Sequence, residues 1–545
     1  MKIKSESKSR LRIGFLINPS EIEQNTLDLM DAIASNEAMF ESPIIIELTH
    51  NKLEFLKYIS ALKQPLKYIL TKIISTFEIL RIRHNSVYKN YFLTYTAKTI
   101  LSIRPHFSHA SVESLDRQKI DIYIQSSYLK IPESALNQST YGVIKSLEEN
   151  SSLDHDLFIG FLEVLKKHPV TSLVLQRSVR DLKSDSLICI GKVMTKSLWH
   201  HNRAALLKKR NSFILRFLKE LYANGLPQED PCYEEDLEVY HEKISSFYLV
   251  KYIFKNYLRS SYFFFKRVFL LSKKYNRWSV SYIKSTNLQT DLSSGVEIKN
   301  LPGRFFADPF LIKHQGRTIC FVEDFFYDQS KGKISAIELF ENNYKFLDIV
   351  LEEDFHLSYP FIFVEGDQVY MIPETSQVHE IRLYKATNFP TKWELEEVLM
   401  KNVSAVDTAI FKNEDLWFML TNICSSASDD HSSELHIFYS EKFNSKNWLP
   451  IKSSNPVIFD SLRARNGGFF EMNNKKYRVN QVQDFSHYGK CFSVNLVKEI
   501  SMDNYIEEKI FEIKPNYMKE IISTHHYHSN GEYIVFDYCK NETIA

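Results

Sequence analysis

The spacing of apolar and polar residues changes twice along this chain. Over residues 12–18, 44–48, 120–125, 141–147 and 171–176 the Ile, Leu, Val and Phe positions form short apolar runs, the pattern of strands covered on both faces. Between them, residues 21–36 and 158–167 carry apolar positions at helical spacing, and a helix-rich stretch follows the second run. Strands alternating with helices predict an α/β domain with a largely parallel sheet over residues 1–196.

From residue 197 to 276 the pattern is helical, with a cationic and aromatic section, SSFYLVKYIFKNYLRSSYFFFKRVFLLSKKYNRW. It predicts a packed helical connector. The alternative is an interfacial helix on an anionic membrane, a peripheral contact through residues 246–275, because Lys and Arg interleave with Phe, Tyr and Leu. Charges inside the run argue against a membrane-crossing span.

From 277 to 545 the rhythm becomes a repeat: a polar residue, an apolar strand, a tight polar turn and a second apolar strand. The copies are ADPFLIKHQGRTICFVEDF, SYPFIFVEGDQVYMIPET, AVDTAIFKNEDLWFMLTN, ARNGGFFEMNNKKYRVNQ and THHYHSNGEYIVFDY. Their turns centre on Gly316, Gly366, Glu414, Asn474 and Gly531, at spacings of 50, 48, 60 and 57 residues. Further strand-like segments lie between the hairpins, so a five-bladed all-β propeller is predicted, with about four strands per blade. The last hairpin has no outer strands after it; segments near 279–283 and 296–299 are expected to complete that blade and close the ring.

In such a ring the first strand of each blade lines the axis. The positions that open those strands are Asp308, Tyr359, Asp407, Arg465 and His525, and the second strands end at Glu323, Glu374, Asn422, Gln481 and Asp537. A water-filled polar closure would account for them, and so would a sugar site. Sugars are held by carboxylate and amide contacts, and glycosyl transfer needs one carboxyl as acid and another as base or nucleophile. Crowded carboxyls in a concave site raise at least one pKa, while Arg465 can hold another ionised.

Composition narrows this picture. Lys+Arg (68) nearly cancels Asp+Glu (67), so no nucleic-acid partner is expected. Six cysteines without paired spacing read as reduced thiols. The start MKIKSESKSR and the short run after it lack a signal-peptide core, so a cytoplasmic location is expected, with room for a peripheral contact at the inner membrane. There is no GxGxxG, P-loop or GxSxG, and no cofactor is expected. For His525, His526 and His528 a metal reading is disfavoured, since alternate strand positions face opposite ways; channel hydrogen bonding for His525 and surface placement are the other readings. His200 and His201 are expected to be solvated, as are the acidic runs at 352–354 and 429–430.

The strings FFADPFLI, FVEDF, SYPF, YMIPET, VDTAIF, LWFMLT, ARNGG, YRVNQ, YGK and THHYH, in this order, resemble the propeller found at the amino-terminal side of plant glucosamine inositolphosphorylceramide transferases and in bacterial surface-polysaccharide proteins. ADPF is also similar to the motif opening the five-bladed furanosidase propellers, whose Asp is the general base. The resemblance implies Asp308 as base, with Asp407 as pKa tuner and Glu374 as acid by blade position; Glu323, Tyr359, Arg465, Gln481, Tyr488 and His525 would contact substrate. RIGFLIN, IDIYIQSSYLKIPESAL and YGVIKSLEENSS resemble a formyltransferase fold. That family's Asn-x-His is replaced at Lys145 and Leu147, and Lys183 stands near its Asp, so the implied domain has lost formyl transfer.

These readings converge on a glycan-active, glycosyltransferase-like protein of bacterial surface-polysaccharide assembly that takes a sugar or nucleotide sugar. A non-catalytic carbohydrate-binding module and a furanoside hydrolase are the alternatives. Oligomeric state stays open.

Overall fold

A computed structural model describes residues 9–48, 64–111, 119–126, 131–146, 158–180, 186–226, 242–258, 274–425, 430–451 and 455–543. The chain divides into two compact units: Met1–Gly191 with Thr195–Phe263 and Ser426–Asp429, and Lys192–Met194 with Phe264–Ser425 and Asp430–Ala545. The helical stretch after residue 196 groups with the first unit.

The first unit is built on a seven-stranded sheet: β1 (Ile13–Ile17), β2 (Ile44–Glu47), β3 (Ser108–Ser111), β4 (Ile122–Gln125), β5 (Val143–Ser146), β6 (Val170–Ser178) and β7 (Ser186–Met194), in the order β3-β2-β1-β4-β5-β6-β7. β3 through β5 run parallel, and β6 is antiparallel to β5. The apolar runs supply the central strands. The edge strand β3, SHAS, lacked a sequence signal because it has one neighbour and needs no continuous apolar run.

The unit also contains helices α1 (Gln24–Ala34), α2 (Pro65–Ile82), α3 (Phe161–Lys166), α4 (Trp199–Asn224) and α5 (Ser246–Ile253). α4 packs on α1, α2 and α3, which is why it belongs to this unit. At its start Trp199 stacks on Phe158 at 5.0 Å. His200, expected in solvent, is buried here, with Nε2 2.9 Å from Ser75 Oγ, and burial lowers its pKa to about 3. Its neighbour His201 packs edge-on against Tyr88 at 4.9 Å, and burial lowers its pKa to about 4. Among the described residues no helix is long and apolar enough to cross a membrane. Most of the C-terminal part of the cationic-aromatic section, 259–273, lies outside the described residues.

The second unit contains five antiparallel blades around one axis. Blade one holds Arg304–His314, Arg317–Phe326, Lys331–Leu339 and Tyr344–Leu351; the first strands of blades two, three and four are Ser358–Glu365, Ala405–Asn413 and Asn466–Met472. The expected turns are where the backbone turns left-handed: φ is 76° at Gly316, 61° at Gly366, 54° at Glu414, 58° at Asn474 and 83° at Gly531. Blade five closes as expected. Its last strand, Tyr533–Thr543, pairs with Lys274–Lys284, which pairs in turn with Val296–Ile298, so both ends of the unit share one sheet. Between blades the core is aromatic; Phe411 of blade three stacks on Phe469 of blade four at 4.3 Å.

The acidic runs have structural roles. Glu352 pairs with Lys333 at 2.8 Å, Glu353 accepts from the Tyr384 hydroxyl at 2.6 Å, and buried Asp430 accepts from Ser433 Oγ at 2.5 Å. Asp429 lies outside the described residues. Cys320, Cys491 and Cys539 are buried thiols outside any disulfide.

Candidate functional site at the propeller axis

The first strand of each of blades one to four carries a register shift at the same place: Ala307/Phe310, Ser358/Phe361, Val406/Ala409 and Asn466/Gly468. Within the first three bulges Asp308, Tyr359 and Asp407 take left-handed backbone angles, φ 48°, 44° and 51°. Such angles cost non-glycine residues on the order of 1–3 kcal/mol and accumulate where a side chain must be re-aimed. Pro309 and Pro360 suit the bulge, where the ladder does not use their missing N–H. In blade four Gly467 lies within the equivalent bulge, and Arg465 reaches the axis from just before it.

These positions converge. The Asp308 carboxylate accepts from the Tyr359 backbone N–H at 3.2 Å, and Asp537 accepts from the Asp308 N–H at 3.3 Å. His525 sits between two carboxylates, its Nδ1 2.8 Å from Asp537 and its Nε2 3.5 Å from Asp308. Gly467 and Gly489 make this placement sterically accessible: a Cβ on Gly467 would lie 2.3 Å from the His525 carbonyl oxygen, and one on Gly489 2.8 Å from His525 Cβ. On the other side of the axis Arg465 Nε binds Asp407, and its Nη2 lies 4.0 Å from Glu374. Gln481 Nε2 donates to Asp407 at 3.3 Å, and Ser376 Oγ donates to Glu374 at 2.7 Å. Glu323 lies 3.5 Å from His356 Nε2.

The electrostatics follow from burial and crowding. Burial is the largest influence on Asp308, pushed up to about 7, with Asp537 and Asp407 adding to the rise and His525 opposing it. Asp407 is pushed up to about 6 by burial, against the pull of Arg465. Burial also raises Glu374, and raises Glu323 well above the carboxylate range with Asp308 and Glu374 adding to it. For His525 burial disfavours the charge, but Asp537 and Asp308 outweigh it and the pKa rises. His526 is driven well below its usual range by burial and by the neighbouring histidines.

The sequence-predicted residues are therefore brought together, at different depths. Tyr488 stands at the rim, 42% exposed, with its ring 5.3 Å from the Arg465 guanidinium carbon. Glu374 and Arg465 are partly exposed, whereas Asp308, Glu323, Asp407, Gln481 and His525 lie deeper. Tyr359 is wholly buried, its ring edge-on to Phe310 at 4.8 Å, so it lines the floor. Asn422 instead ties blades three and four, donating to the Ala464 carbonyl at 2.9 Å and accepting from the Asn466 N–H at 2.8 Å. All three late histidines are buried, which removes the surface reading; His528 Nδ1 accepts from the Leu311 N–H at 3.3 Å.

One participant was named only by its place on a strand, and one was missed. Asp537 was legible as a strand end, but its grip on His525 depends on the tertiary fold. Trp278, whose ring lies 4.1 Å from that of His525, enters only through closure of blade five. Asp308, His525 and Asp537 each offer a ligand atom within 4.8 Å of the others, a set able to hold a cation. Both imidazole nitrogens face carboxylates, an arrangement that a protonated imidazole also satisfies.

Fold and site define a five-bladed propeller with an acidic axial cup. Residues 288–528 match the family described as glucosamine inositolphosphorylceramide transferase 1, N-terminal. The protein of that name from Arabidopsis thaliana is 32% identical over 215 residues, covering 38% of this chain and 28% of that protein. The one from Oryza sativa subsp. japonica is 32% identical over 212 residues, with the same coverage of 38% and 28%. The chain thus spans little more than a quarter of the length of these relatives. Among solved structures, the catalytic domain of a Coprinopsis cinerea GH62 α-L-arabinofuranosidase aligns with TM-score 0.34 and 11% identity over 49% of this chain and 98% of that one.

Proposed function

We propose that the propeller axis binds a sugar and acts in glycosyl transfer. The observation that carries this reading is the convergence of Asp308, Glu323, Glu374, Asp407 and Asp537, from four blades, around one guanidinium and one imidazole. Carboxyls held near neutrality are suited to exchange protons with substrate at physiological pH. In this reading Asp308 takes the proton of the acceptor hydroxyl, Glu374 protonates the departing oxygen, and Asp407 with Arg465 sets the charge beside Glu374. Glu323, Gln481, Arg465, His525 and Tyr488 contact the sugar, and Tyr359 shapes the floor. The match to relatives named as transferases supports this class.

The second reading, a non-catalytic carbohydrate-binding module, draws on one feature. The axial carboxylates also hold backbone N–H groups of neighbouring strands, as Asp308 does for Tyr359 and Asp537 for Asp308, so they stabilise the ring itself. The α/β unit in either case is a scaffold or binding module of formyltransferase type without its chemistry, and the whole chain works in the cytoplasm in surface-polysaccharide assembly. Lys145 is buried in β5 where that family needs Asn, while Leu147 and Lys183 fall outside the described residues.

Thermal stabilisation by a panel of nucleotide sugars, free sugars and glycan fragments, followed by turnover assays on any ligand found, tests the choice. Asp308→Asn should lose turnover by about 100-fold or more while still binding. Stabilisation by glycan fragments alone, with no product from the wild type, would establish the binding module instead.

A further inference from the structure

The α/β unit carries a second surface unrelated to the axial cup. Helix α2 is apolar on two sides. Ile74 and Ile82 face inward with Glu78, whereas Leu66, Ile69, Ile73, Phe77 and Leu80 form a stripe at spacings of three and four, each at least half exposed. α5 packs on α2 and adds Phe247, and the turn that follows it adds Phe254, exposed by 70% and 63%. The two stripes meet where Phe77 lies 4.6 Å from Tyr257. Side chains of this size in one exposed patch mark an interaction surface.

The charges framing the patch indicate its occupant. Lys72, Arg81, Arg83 and Lys251 are exposed on the same two helices or directly after them. The one carboxylate in residues 64–84 is Glu78, wholly buried, and residues 245–258 contain none. Glu242, just before α5, is paired with Lys166 at 2.6 Å and with the Tyr248 hydroxyl at 2.8 Å. A second copy docked on this face would set cations against cations with no carboxylate to pair them. An anionic bilayer surface offers an apolar layer for the stripe and phosphates for its frame. We propose that the α2/α5 face seats this protein on the surface of an anionic membrane, lying in the interface without crossing it.

Flotation of the full chain with vesicles tests this. Wild type should float with phosphatidylcholine vesicles containing phosphatidylglycerol, less so as salt is raised, and much less with phosphatidylcholine alone. Ile73→Glu combined with Phe247→Glu, both at exposed positions, should lower partition by about tenfold or more with unchanged circular dichroism and melting. Lys72→Gln, which keeps the apolar stripe, should lower it about fivefold. The proposal is overturned if wild type ignores anionic vesicles, if it binds neutral ones equally, or if the double variant floats undiminished. It is also overturned if light scattering shows a dimer that the double variant converts to monomer.

Discussion

Glu78 in the α/β unit and Asp308 on the propeller axis are both buried, and burial pushes both above the ordinary carboxylate range. Their surroundings differ. Glu78 is boxed in by neutral donors: the Tyr252 and Tyr257 hydroxyls and the His200 N–H at the start of α4. Those donors and the positive end of the helix dipole fix it in one role, tying α2 to α4 and α5. Asp308 faces groups that can themselves gain or lose a proton, with His525 and Asp537 beside it and Asp407 close enough to shift its pKa. A buried carboxyl surrounded by fixed donors is held in one protonation role; one among ionisable neighbours, in a left-handed backbone conformation, shares its proton equilibrium with them.

The largest test of this contrast removes the frame on which the axial cup depends. Deleting residues 274–300 takes away the strands that pair with Tyr533–Thr543, and the propeller should lose its cooperative melting transition. Calorimetry showing that transition intact would refute closure through blade five.

Next in size is the exchange of one buried arginine for methionine. Arg478, wholly buried, makes paired contacts with Glu507 at 2.7 and 2.6 Å, and Tyr505 also donates to Glu507 at 2.7 Å. Arg478→Met should cost about 3–5 kcal/mol in urea unfolding because it leaves Glu507 charged and buried. Arg465→Met should cost less, since Asp407 and Glu374 already have raised pKa values and can take up a proton. Equal losses would show that the axial arginine is as structural as its counterpart in blade four.

A smaller effect concerns pH. Asp308 and Asp407 bind protons more tightly in the folded state than in the unfolded chain, with folded values of about 7 and 6. Between about pH 4 and 7 the unfolded chain therefore holds fewer protons at these positions, and their contribution to stability falls as pH rises. The raised pKa of His525 acts in the same direction, its contribution being lost as pH passes through its folded value. Melting temperatures measured between pH 5 and 8 should decline for wild type and decline less for Asp308→Asn. An unchanged slope in the variant would remove Asp308 as a titrating group.

The smallest expected change is Glu78→Gln, about 1–3 kcal/mol, because the amide retains only part of the acceptor capacity that three donors use. It should leave axial ligand binding untouched, whereas Asp308→Asn changes turnover.

Much of this was legible before folding. Five polar-apolar hairpins marked five blades because a two-residue side-chain period and a tight turn are local properties. The turn residues Gly316, Gly366, Glu414, Asn474 and Gly531 were found for the same reason. Edge strand β3 escaped, and so did the burial of His200, since neither depends on nearby sequence.

The sequence by itself determined the blades, the alternating strands and helices of the first unit, and the polar identity of Asp308, Tyr359, Asp407, Arg465 and His525 at the strand starts. Only the tertiary structure decided which of those groups meet. The pairing of Arg465 with Asp407, the clasp of Asp537 on His525 and the arrival of Trp278 beside it join residues 58, 12 and 247 positions apart. Local preference fixes where a strand turns; ring closure fixes which charges share a low-dielectric axis, and their mutual proximity sets each pKa.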